Sequence, residues 1–119
     1  MGLDVVYGAP DIHYSFIGPQ SQVGLRAAND AEPKISFSTF SKNGGTGAVL
    51  VQGNARPKMT RNNFQDNPFA VQSFSSITID ARENWWGSSP PSESQFLGEI
   101  NYKPWLEAPE TKAFQGRKP

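Results

Sequence analysis

Cysteine is absent from the 119-residue chain, which removes disulfides, thiolate nucleophiles, thiolate-ligated zinc and c-type haem attachment. Histidine occurs once, at His13, which leaves imidazole-seeking metals without a ligand set. Neither sign of charge is in excess: eleven basic residues balance eleven acidic ones, so the electrostatic footprint of a nucleic-acid binder is missing. The terminal pair Arg117-Lys118 reads as solvated tail. No apolar run approaches the roughly 18 residues that span a bilayer. The opening "MGLDVVYGAP" lacks the charged and apolar regions of a signal peptide. Helical periodicity is scarce too. Eleven glycines and ten prolines account for that, because a helix interior loses about 1 kcal/mol per Gly and about 3 per Pro.

What is present is a series of short alternating apolar bursts: Ile12-Tyr14, Ile35-Phe37, Ala48 to Val51, and Ile77-Ile79-Ala81. They are separated by Gly, Asn and Pro, the pattern of half-buried strands. The first two of them fall within a repeat of three units. "PDIHYSFI" from Pro10, "PKISFSTF" from Pro33 and "PKMTRNNF" from Pro57 align without gaps. Each has an aliphatic residue or Met two places after proline (Ile12, Ile35, Met59) and a large apolar residue at its eighth position (Ile17, Phe40, Phe64). A fourth, degenerate copy is expected in "ITIDARENWW", with Glu83-Asn84-Trp85 echoing Asn62-Asn63-Phe64. A short period without helical content predicts a parallel β-helix of about four coils, in which equivalent residues stack in columns. Five leucines are too few for a leucine-rich repeat. Asn43 and Asn67, each three residues after a column phenylalanine, are expected at a corner. The alternative is a small β-sandwich. All of this fits one domain, residues 1–106, with a mobile polar tail at 107–119.

The stretch from Asn62 to Leu106 resembles the C-terminal end of right-handed parallel β-helix proteins of the pectate-lyase-like group. The residues that carry the resemblance are Asp80-Ala81-Arg82-Glu83-Asn84-Trp85-Trp86-Gly87-Ser88 with Pro90, then Ile100-Asn101-Tyr102-Lys103-Pro104-Trp105-Leu106. Glu83 stands where the family has the first of two asparagines, which weakens an asparagine ladder there. The resemblance implies a fold rather than an activity, and gives Asn84, Trp85, Trp86, Gly87, Tyr102, Pro104 and Trp105 the role of a structural cap. A last coil exposes an apolar cross-section and unpaired backbone, so something large must cover it. Strand alternation from the assumed phase points Trp85 inward in the Phe64 column and Trp86 outward beneath Trp105. Gly87 then permits a sharp exit, and Pro90-Pro91 stops further pairing.

No catalytic, cofactor or metal residues are assigned. Trp86, His13 and Asp11 are the candidates for ligand contact: an indole face can stack on a sugar ring, and Asp11 shares a strand face with His13. The acids Asp11, Asp30, Glu32, Asp66 and Asp80 fall at different repeat phases, without the carboxylate array that a lyase or glycoside hydrolase of this fold requires. Lys34 and Lys58 share a phase, with Arg61 beside them, as solvated decoration. "GLDVVYGAP" already alternates Leu3-Val5-Tyr7, as though the chain starts inside a coil, so another subunit or preceding coils are expected on that face. The expectation is a non-catalytic structural or interaction module of an extracytoplasmic or surface assembly. The alternative is a carbohydrate-binding or carbohydrate-active fragment with a polysaccharide partner and its catalytic residues elsewhere.

Overall fold

Residues with β-branched or aromatic side chains at every second position, interrupted by Pro and Gly, favour short strands that cannot lengthen. The computed structural model describes residues 2–45 and 47–114, and these short strands wind into a parallel β-solenoid of about four turns. The first turn holds β1 (Leu3–Val5), β2 (Asp11–His13) and β3 (Phe16–Ile17). The second holds β4 (Val23–Ala27), β5 (Lys34–Ser36) and β6 (Thr39–Ser41). The third holds β7 (Gly47–Val51), β8 (Lys58–Thr60) and β9 (Asn63–Gln65). In the fourth, β10 (Val71–Ser73) and β11 (Ile79–Asp80) are followed by a single bridge from Asn63 to Trp85. A last, partial turn supplies β12 (Phe96–Leu97) and β13 (Ile100–Asn101).

Equivalent strands pair into three sheets, β1-β4-β7-β10-β12, β2-β5-β8-β11-β13 and β3-β6-β9. Every pairing among the described residues is parallel, which excludes the sandwich alternative. Register puts Ile12, Ile35 and Met59 in one column and Ile17, Phe40 and Phe64 in another. Leu25, Val49 and Val71 form a third, and the three columns meet in one buried core.

In the first three coils the turn between the second and third sheets takes only two residues, and Glu83-Asn84 stand at the equivalent place in the fourth. Its first residue is left-handed in every coil: Tyr14, Phe37, Arg61 and Glu83 have φ of 51°, 47°, 59° and 62°. Such a backbone is unfavourable for bulky side chains and persists only where neighbours over-determine it. Here the second residue does so. Ser38 Oγ accepts from the Ser15 N–H (3.1 Å), Asn62 Oδ1 from Ser38 N–H (3.0 Å), and Asn84 Oδ1 from Asn62 N–H (2.9 Å). The buried amides of Asn62 and Asn84 donate in turn to the carbonyls of Ile35 (2.9 Å) and Met59 (3.0 Å). The corner after β6 and β9 works alike: Lys42 and Asp66 are left-handed, and Asn67 Oδ1 accepts from the Asn43 N–H at 2.9 Å. That second ladder stops at Asn43, whose Oδ1 has no partner because the Gln20 N–H goes to the Lys42 carbonyl instead.

The ladder corrects the expected phase of the fourth repeat. Asn84, not Glu83, continues the column of Asn62, and Glu83 occupies the left-handed corner above Arg61. Trp85 therefore aligns with Asn63 and Trp86 with Phe64. A shift of one residue exchanges the two faces of a strand. Trp86 is the buried ring, 3% exposed, and Trp85 points outward and is half-buried.

Candidate functional site

The closed end is built as a continuous file of rings. Phe40 stacks on Phe64 at 4.9 Å and Phe64 on Trp86 at 4.5 Å, nearly parallel. Phe96 then meets Trp86 edge-to-face at 4.7 Å, Tyr102 stacks on Phe96 at 4.2 Å, and Trp105 follows at 6.3 Å. Such contacts add about 0.5–1.5 kcal/mol each beyond the area they bury. Phe96, not Trp105, covers Trp86; Trp105 is the outermost ring, over Tyr102. Burial first, and then the nearby Glu93 carboxylate, raises the Tyr102 phenol above its ordinary pKa. Gly87 (φ 91°) turns the chain away from the third sheet.

Residues 107–114 do not lead away from the coils. They lie across the outward face of the third sheet, where Thr39, Asn63 and Trp85 succeed one another. The Glu110 N–H donates to Asn63 Oδ1 (2.8 Å) and its carbonyl accepts from Asn63 Nδ2 (3.0 Å). Thr39 Oγ1 donates to the Ala113 carbonyl (3.0 Å), and Ala113 is buried. Arg61 bridges Glu110 (3.5 Å) and Glu83 (3.6 Å), so it serves this strap and is not part of a lysine stripe. Of the expected tail, residues 115–119 lie outside the described residues.

The strap covers Thr39 and Asn63 but leaves Trp85 beside a cleft of about 480 Å³. Its walls are the corner at Gln65, Asp66 and Pro68, the loop carrying Ser88, Ser92, Ser94 and Gln95, and Pro109 of the strap. Trp86 also borders it, and the buried indole Nε1 has no hydrogen-bond partner among the described residues. Sequence reasoning missed this cleft because the ring assigned to the outside was the wrong one. The buried asparagine two residues before each inward ring, Asn62 and Asn84, is the signal that identifies the right one.

The outward face of the second sheet carries Asp11, Lys34, Lys58 and Asp80 in one column. The two lysines share a phase as expected, and two of the acids expected at other phases flank them. Arg82 grips Asp80 (2.9 and 3.1 Å) and, with a smaller contribution from Lys58, holds its carboxyl below the usual carboxylate range. Arg26 does the same for Asp4 at 2.8 and 2.9 Å. His13 Nδ1 lies 3.4 Å from Asp11 Oδ1, with both side chains more than half exposed. The pair is brought together, with the Tyr14 ring edge-on to His13 at 5.2 Å.

The fold and its end define a class: a parallel β-solenoid closed by stacked aromatic rings and strapped along one side. No family model, curated protein or solved structure matches this chain. Within the described residues no helix is long and apolar enough to cross a membrane.

Proposed function

We propose that the chain is a non-catalytic β-helix module, a structural or interaction element of a larger extracytoplasmic or surface assembly. The carrying observation is the contrast between its two ends. One end is covered by the ring file. At the other, β1, β2 and β3 each have a neighbour on one side only. The Leu25 column ends there at Leu3, 39% exposed, and the Ile35 column at the half-buried Ile12, while Tyr14 and Tyr7 beside them are exposed. An edge of this kind is a template for parallel pairing, and the occupant this reading requires is another subunit or further coils. The likeness of residues 62–106 to pectate-lyase-like right-handed β-helices supports the same reading, because the Trp-rich segment in that group is structural. Sedimentation with amide exchange tests it. The reading expects association or fast exchange through residues 3–15, and a monodisperse monomer with slow exchange there overturns it.

A second reading, a carbohydrate-binding fragment, has one specific observation in its favour: Trp85 is offered to a cleft and not consumed by the cap. A carbohydrate-active enzyme face is not favoured, because Lys34 and Lys58 separate Asp11 from Asp80 in the outward column.

A further inference from the structure

We infer that the Trp85 cleft is a binding site for a short neutral oligosaccharide. The inference rests on the carbohydrate-binding reading and gives it a place and a sugar class. The cleft lies within the range of about 300–1,000 Å³ occupied by small-molecule sites. Pyranose rings are recognised by one apolar face and by hydrogen bonds around the rim. Trp85 supplies an indole held on the outward column of a rigid sheet, where Asn63 in the same column is fixed by the strap. The rim is hydroxyl and amide: Ser88, Ser92, Ser94, Gln65 and Gln95.

Two further features narrow the ligand. No lysine or arginine lines the cleft among the described residues, and its only ionisable side chain is Asp66. A carboxylate without a cation disfavours uronates and sulfated sugars while accepting hydroxyl donors. Trp86 borders the cleft while its indole N–H is closed off from it, so Trp86 offers a ligand apolar ring surface beside Trp85.

The test uses the full chain labelled with 15N and follows its three indole N–H signals, from Trp85, Trp86 and Trp105. The probes are neutral tetrasaccharides of β-1,4-glucan, β-1,4-mannan, β-1,4-xylan and α-1,4-glucan, with tetragalacturonate as the anionic comparison. At least one neutral probe is expected to shift the Trp85 and Trp86 signals and leave Trp105 in place. Trp85→Ala is expected to weaken binding about tenfold or more, and Gln65→Ala by a smaller factor, with the backbone spectrum otherwise retained. Should Trp85→Ala disturb the fold, Gln65→Ala and Ser94→Ala decide the matter. Tighter binding of tetragalacturonate, or shifts confined to Trp105, overturns the inference while the carbohydrate-binding reading stands. If no probe binds anywhere, both fall, and the structural-module reading is judged by its own exchange experiment.

Discussion

Adjacent residues of the same type have opposite fates in this molecule. Trp86 is sealed between Phe64 and Phe96, whereas Trp85 is half-exposed beside a cleft. Trp86→Ala is therefore expected to cost about 3–5 kcal/mol in urea unfolding, and Trp85→Ala less than about 1. Equal losses would contradict the phase set by Asn84. Asp80 gives a prediction in pH. Arg82 lowers its folded pKa, so the unfolded chain binds more protons in the acid range and stability rises with pH there. The contribution is complete above the ordinary carboxylate pKa and disappears as pH falls through the folded value. Arg82→Gln is expected to move the Asp80 carboxyl titration upward and to flatten acid unfolding in that window. Unchanged titration in the variant would show the ion pair to be idle.

At the scale of elements, the two-residue corners decide whether strands reverse direction in time. Asn62→Ala leaves the Ser38 N–H buried without its acceptor and takes one donor from the Ile35 carbonyl. The expected cost is about 3 kcal/mol by denaturant titration. Truncation after Leu106 removes the strap from Thr39 and Asn63, which water can then solvate; a loss of about 1–3 kcal/mol with the strand content intact is expected by circular dichroism. These elements were legible in the sequence to different degrees. The columns at Ile12-Ile35-Met59 and Ile17-Phe40-Phe64 could be read because three repeats align without gaps and proline marks their start. The fourth repeat lost its proline, and Glu83-Asn84-Trp85 has the same outline as Asn62-Asn63-Phe64. Only the side-chain ladder, which needs Asn84 over Asn62, removes that ambiguity. The strap was not legible, because its contacts run largely through the backbone of Glu110 and Ala113, and backbone contacts leave no residue signature. Of the charged column only the Lys34-Lys58 pair was legible, because Asp11 and Asp80 carry the opposite sign at the same phase.

Across the whole molecule, stability follows position along the axis, as in any array whose repeats touch only their neighbours. Leu3 and Leu25 are paired in register, yet Leu25 is fully buried and Leu3 is 39% exposed. Leu25→Ala is expected to cost about 2–5 kcal/mol and Leu3→Ala less than about 1. A partner seated on the first coil would raise the cost of Leu3→Ala towards that of Leu25→Ala, so the pair of variants measures occupancy of that edge by unfolding alone. The ring file adds a consequence in time. Phe64 is translated well before Trp86, and Trp86 before Phe96, Tyr102 and Trp105. During synthesis each coil from the second onward therefore presents a bare aromatic face until the next ring arrives. The interval before the last of these rings emerges is when a nascent chain of this kind is most open to capture by a chaperone or by another copy of itself.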